Sequence, residues 1–337
     1  MYRANKILEK SKCLSLLVGL TFIVSLLIKN ANALEPVTFA TDWKAQAEQG
    51  GFYQAKALGL YEKAGLDVRI RGGGPGINIP QLLGANAIDF AMGSNSFILL
   101  NMVQAGVPAK AVMAAFQKDP QVLITHDRDD IKSISDMKDK PIMIADASIN
   151  AFWVWMRARY GFSDKQIRKY TFNLAPFIVD KNAIQQGYAT SEPYTISKNG
   201  VTPKVFLLSD EGYPSYAAMV IAQNRLIEEK PEIVEAFVAA SIEGWRSYLM
   251  DDPSPGNRLI LASNQDMTQD ILNQAITQIR DRGLVLSGDA LDKGIGIMTR
   301  QRWETFFTLM AQNNLYDMDM NWESAFTTDF VNKAQTD

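Results

Sequence analysis

A two-lobe α/β fold is predicted by three features of this 337-residue sequence. Short apolar segments alternate with helical patterns from about residue 37 to residue 223, which is the signature of strands and helices laid down in turn around a largely parallel sheet. The α/β part reads as two similar units in succession. From Asn224 onward nearly everything reads as helix. With 47% hydrophobic residues, the chain can fill one large core or two medium ones. The expected organisation is therefore a first lobe made of residues 34–120 and 224–337, completed by the helical tail, and a second lobe of residues 121–223.

Residues 1–33 are set aside as an expected signal peptide. Arg3, Lys6, Lys10 and Lys12 precede the apolar run Leu14–Ile28, and Ala31-Asn32-Ala33 offers a small-x-small cleavage site. The competing reading is an uncleaved anchor, but the run is short beside the about 20 apolar residues a spanning helix needs. Cys13 is the one cysteine and lies inside this segment, so a chain starting near Leu34 has no thiol. Disulfides, Cys-ligated zinc, iron–sulfur clusters and thiol nucleophiles are excluded, which is compatible with a periplasm. Residues 1–33 hold five Lys/Arg and one Glu of the 34 and 37 in the whole. The remainder therefore carries 29 basic and 36 acidic residues, a net charge of −7. No long basic run survives, and nucleic acid is not an expected partner. No metal site or cofactor is expected either. GGGPG (72–76) lacks the Gly-Lys-Ser/Thr end of a phosphate-binding loop and reads as a tight turn.

Taken in order, VTFAT (37–41) is a strand, GFYQAKALGLYEKAG (51–65) a helix stopped by Gly65, and LDVRIRGG (66–73) a second strand. INIPQLLGANA (77–87) is a helix, IDFAMGS (88–94) a strand, SFILLNMVQAG (96–106) a helix and AKAVMAAF (109–116) a strand. PIMIADA (141–147) is a strand that leads into a helix over 148–162, capped by Ser148. In that helix one of Trp153 and Trp155 is expected to face a cleft. KYTFNL (169–174) is a strand, KNAIQQGYATSE (181–192) a helix, and KVFLLSDEG (204–212) and AAMVIAQ (217–223) strands. Pro231 opens a long helix at its first turn, and 267–283 and 300–315 are amphipathic at a 3.6-residue period. The chain is expected to cross between lobes near Gln121–Thr125 and to return near Met219–Gln223.

Asp42-Trp43 ends the first strand, just before a loop with Gly50-Gly51. A core strand gains nothing from an aromatic beside a carboxylate at its tip, whereas a ligand site at the carboxyl ends of strands does. Trp43 would stack on a flat ring and Asp42 would accept a hydrogen bond from a ring amino group. Glycines 50 and 51 would let the backbone approach the ligand. The competing reading makes Trp43 core and Asp42 a turn cap. Gly93-Ser94-Asn95-Ser96 opens a helix, and its N–H groups and hydroxyls either hold a polar ligand atom or merely cap. Phe116-Gln117 ends a strand near the crossover and is expected to face the cleft.

These motifs, TDW, GGFYQAKALGLYEKAGLDVRI, GGGPG, AIDFAMGSNSF, ADASINAFW and AIQQGYATSEPY, resemble in order and spacing the NMT1/THI5-like branch of solute-binding proteins. That branch includes nitrate-, sulfonate-, taurine- and thiamine-pyrimidine-binding proteins. The resemblance covers nearly the whole chain after residue 33. It implies a type II periplasmic binding protein, a monomer with a cleft between two lobes and a helical C-terminal tail. Such a protein closes on a small molecule and delivers it to an ABC permease in the inner membrane. In the thiamine-pyrimidine binders a carboxylate and an aromatic from the second lobe complete the site; Glu192 matches that carboxylate, with Tyr188 or Tyr194 as the aromatic. Two carboxylates with several aromatics favour an aminopyrimidine, although a flavin remains open and inward-turned Arg71 or Lys44 would suit an anionic sulfonate.

The same family contains a thiamine pyrimidine synthase, which uses a cysteine-rich iron motif and a lysine- and histidine-held pyridoxal phosphate. Here the cysteine-rich motif is absent and His126, the one histidine, falls near the crossover. No catalytic residues are assigned.

Overall fold

The computed structural model describes residues 33–334, apart from Pro75. The expected leader and Cys13 lie outside the described residues but for Ala33. Among the described residues ten strands form two five-stranded sheets. The first contains β1 (Glu35–Ala40), β2 (Leu66–Arg71), β3 (Phe90–Gly93), β4 (Ala109–Phe116) and β10 (Ala217–Gln223), in the order β2-β1-β3-β10-β4. The second contains β5 (Gln121–His126), β6 (Ile142–Ile144), β7 (Ile167–Lys169), β8 (Ile184–Tyr188) and β9 (Pro203–Leu207), in the order β7-β6-β8-β5-β9.

The two sheets share one plan. Four strands in each come from local strand–helix–strand units, and the fourth position in the order is taken by a strand arriving directly from the other sheet. That guest strand runs antiparallel to both neighbours: β10 to β3 and β4, β5 to β8 and β9. The sheets are therefore mixed, with parallel pairing kept between β1 and β3 and between β6 and its neighbours. The crossings fall at residues 117–120 and 208–216. Ala217–Gln223, expected to close the second lobe, sits inside the first sheet with every residue buried.

The long helix Pro231–Met250 carries its apolar stripe on Ile233, Val234, Phe237, Val238, Trp245 and Tyr248. Phe237 stacks on Phe90 of β3 at 4.2 Å. Gly50 and Gly51 serve this packing rather than a ligand. A β-carbon on Gly50 would lie 2.0 Å from the Tyr248 ring, and one on Gly51 2.2 Å from Trp245. Gly244 answers from the other side, where a β-carbon would lie 2.3 Å from the Gly51 carbonyl.

Three local expectations are corrected. The helix expected at 181–192 is instead β8, buried in the second sheet. Gln186 of β8 suits that setting, its Oε1 accepting from the Ala145 amide at 2.7 Å, and Gln121 of the neighbouring β5 donates through Nε2 to the Gly187 carbonyl at 2.9 Å. The strand expected at 169–174 ends at Lys169, and Phe172 takes a left-handed conformation (φ 61°). The helix over 148–162 is broken into Asp146–Ile149 and Phe152–Tyr160, so Ser148 lies within a short turn and caps nothing. Both tryptophans of the second segment are core. Trp153 donates to Asp164 Oδ1 at 2.9 Å, and Trp155 packs on Tyr213.

Candidate functional site

The carboxyl ends of β1, β3, β7 and β8 converge where the lobes meet, the place an open α/β sheet offers a ligand. From the first lobe come Asp42 and Trp43 after β1, Ser94 and Asn95 after β3, and Glu48 from the one-turn helix Ala47–Gln49. From the second come Tyr170 and Phe172 after β7, and Tyr188 and Thr190 at the end of β8.

Backbone bonds fix the first group. The Gly73 amide donates to the Trp43 carbonyl at 3.0 Å, and a β-carbon at Gly73 would strike the Thr41 carbonyl at 2.2 Å. The glycine loop thus braces the turn that presents Asp42 and Trp43. Within that turn the Ser94 hydroxyl donates to Asp42 Oδ2. The other oxygen, Asp42 Oδ1, is buried without a hydrogen-bond partner, and so is Asn95 Oδ1. Burial pushes the Asp42 carboxyl up to about 6, against the opposing bond from Ser94. Asn95 sits at the N-cap position of the helix Ser96–Gln104, yet its side chain caps nothing.

Side chains meet across the lobes here. The Trp43 ring lies 4.9 Å from that of Phe172, which in turn lies 5.2 Å from Tyr170. The Thr190 hydroxyl donates to Glu48 Oε1, a carboxylate only 4% exposed. Burial and the nearby Glu192 charge raise the Glu48 carboxyl, against that bond. Tyr188 brings its phenol among the first-lobe acids. Burial, then the charges of Asp119, Asp42 and Glu48, push that phenol well above its ordinary range.

Glu192 differs from the first-lobe acids. Its Oε2 accepts from the Tyr188 amide at 2.8 Å and from the Ser191 hydroxyl, and its Oε1 accepts from the Tyr170 hydroxyl at 3.4 Å. It therefore fixes the loop that presents Tyr188 and Tyr170. Gly187 makes room for it, since a β-carbon there would come within 3.2 Å of Glu192 Oε2.

The remaining candidates separate from this group. Phe116 is fully buried, edge-on to Trp245 at 5.4 Å, and belongs to the core. Gly93 is buried opposite Met219 of β10. Tyr194 faces Lys198, whose ammonium stands 5.1 Å from its ring. His126 bonds the Phe177 carbonyl at 2.7 Å and stacks on that ring, which accounts for it without chemistry. Glu48, Thr190, Tyr170 and Phe172 were not foreseen; the only sequence sign was the aromatic pair in KYTF and the acid just before Gly50-Gly51.

The cations that would favour an anion are turned away. Lys44 pairs with Asp266 at 2.7 Å on the surface, and Arg71 is exposed. Among the described residues no cluster of His, Cys, Asp and Glu is arranged to hold a metal ion, and no helix is long and apolar enough to cross a membrane. A separate hollow of 490 Å³, lined by Lys293, Thr299, Arg300, Phe326 and Asp329 among others, borders none of the converging residues.

The family model described as NMT1/THI5-like matches residues 46–255. A riboflavin-binding protein, RibY, from Chloroflexus aurantiacus is 24% identical over 88% of this chain and 86% of its own length. A formylaminopyrimidine-binding protein from Halalkalibacterium halodurans is 22% identical over 95% of this chain and 99% of its own. In structure, the periplasmic aliphatic sulphonate-binding protein SsuA from Escherichia coli superposes with a TM-score of 0.67 at 13% identity, covering 87% of this chain and 92% of that one.

Proposed function

Because this chain belongs to the NMT1/THI5-like family, we propose that it is the solute-binding subunit of an ABC importer, taking a flat heterocycle that carries N–H donors, an aminopyrimidine of the thiamine-precursor type. The observation that carries the ligand class is the pair of buried acceptors, Asp42 Oδ1 and Asn95 Oδ1, that no donor satisfies. A buried unpaired acceptor is unfavourable by about 1–3 kcal/mol, more if charged, and an amine or ring N–H relieves it. Trp43, Phe172 and Tyr170 form a contiguous run of rings beside Asp42, against which a flat heterocycle would stack. The acids oppose sulfonate, nitrate or taurine, since Lys44 is engaged elsewhere and Arg71 is exposed.

The protein on this reading is a periplasmic monomer, exported by its N-terminal leader, that closes its lobes on the solute and presents it to an inner-membrane permease. It is a binding protein and not an enzyme; the relatives of nearly full overlap are themselves named as binding proteins. A flavin is the second reading, because it too is flat and bears a ring N–H, and one relative is named for riboflavin. Calorimetric titration of unfolded-and-refolded residues 34–337 with 4-amino-5-hydroxymethyl-2-methylpyrimidine, its formylaminomethyl analogue, riboflavin and taurine separates these. Saturable binding of either pyrimidine, weakened in Asp42→Ala, supports the reading; taurine binding with no heterocycle response overturns it.

A further inference from the structure

We propose that Arg302 is the clasp of the hinge, a positioning residue that holds the two crossover segments together and so sets the angle at which the lobes meet. The proposal rests on lobe closure as the means of capture and not on which solute is captured.

Arg302 lies in the first turn of the helix Arg300–Gln312, which is tied to the first lobe where Phe306 meets Phe97 at 4.8 Å. Its guanidinium reaches both crossings. Nη2 donates to the Gln117 carbonyl on the outward segment and to the Ser215 carbonyl on the return at 3.0 Å, while Nε donates to the Pro214 carbonyl at 3.0 Å. The guanidinium carbon stands 4.0 Å over the Tyr216 ring. Only a planar fork of fixed donors satisfies three carbonyls from two crossover segments while stacking on a ring; an ammonium does not.

The clasp is continuous with the binding site. Ser96, one residue after Asn95, accepts from the Tyr216 amide at 3.0 Å through its hydroxyl, and its own amide donates to the Ser215 hydroxyl at 3.1 Å. The outward segment is held from the same side, the Gln117 and Lys118 amides both donating to the Leu284 carbonyl. The return segment enters β10 through Ala218, at φ 47°, a conformation that side-chain-bearing residues adopt only under constraint. A second link between the crossings, Lys118 to Asp210 at 2.9 Å, is exposed and contributes little.

The test reads lobe separation without ligand, so its failure and a wrong ligand are distinguishable. Cysteines introduced at exposed Lys63 in the first lobe and Lys181 in the second carry spin labels. Arg302→Met is expected to shift the label distance distribution to longer and broader values than the parent's. Arg302→Lys is expected to fall between the two, and Lys118→Ala to leave the distribution unchanged. Where Arg302→Met does not fold, the comparison of Arg302→Lys with the parent decides. A folded Arg302 variant of lower melting temperature whose distance distribution superposes on the parent's overturns the proposal, because Arg302 would then be a stabiliser of the first lobe alone.

Discussion

Asp42 in the first lobe and Glu192 in the second are both carboxylates at the ends of strands facing the cleft, yet they do opposite work. Glu192 accepts from an amide and two hydroxyls, so its charge is spent on holding Tyr188 and Tyr170 in place. Asp42 accepts one hydroxyl, keeps a buried oxygen without a donor and has its carboxyl raised to about 6. The residue type and the strand end are the same; the number of donors already supplied separates the acid that serves as scaffold from the one we propose receives a donor from the ligand.

The contrast breaks most visibly at Asp42. Asp42→Ala removes a hydrogen bond to a charged group, and the aminopyrimidine should bind about 1.5–3 kcal/mol more weakly while the melting temperature falls little. Glu192→Ala should do the reverse first. It strands the Tyr188 amide, so denaturant unfolding should show a loss of about 1–3 kcal/mol, with any fall in affinity following from a loosened loop. Unchanged stability with abolished binding in Glu192→Ala would reverse the two assignments.

A pH series sharpens the same comparison. The folded carboxyl of Asp42 sits above its unfolded value of 3.8, so the stabilising contribution of its protonated form is full below about pH 4 and is lost as pH rises through about 6. Ligand binding runs the other way, because an N–H donor prefers the ionised acid. For a ligand of constant charge, affinity should drop by up to about tenfold per pH unit below 6. Calorimetry from pH 5 to 7.5 should show this slope in the parent and a flat profile in Asp42→Asn. The smallest effect is expected at Trp43: Trp43→Phe should retain most binding, and Trp43→Ala should lose about 0.5–1.5 kcal/mol beyond its buried area.

The first lobe was more legible in the sequence than the second, for a physical reason. Its strands are apolar and its helices amphipathic, so periodicity alone places β1 to β4, and Asp42, Trp43, Ser94 and Asn95 follow from the loops at their ends. In the second lobe the central strand β8 reads IQQGY. Two glutamines look like helix until it is known that Gln186 serves the Ala145 amide, a contact 41 residues away. Tyr170 and Phe172 were hidden by the same kind of error, since their segment reads as strand and folds as a strained loop. Phe116 was misplaced because a strand end near a crossover offers no local sign of which face a ring takes.

The register of the first sheet carries one more consequence. Phe116, the last residue before the outward crossing, is the antiparallel neighbour of Ala217, the first residue after the return. Topologically, β4 and β10 are the arms of a hairpin, and the entire second lobe occupies the position of its loop. Antiparallel arms so placed are the ones a two-residue Asn-Gly turn closes. The chain is thus organised as a host with a guest spliced between two adjacent residues, and the guest is open to exchange: a different second lobe set between Phe116 and Ala217 would inherit Asp42, Trp43 and Asn95 and meet them with a new opposing wall.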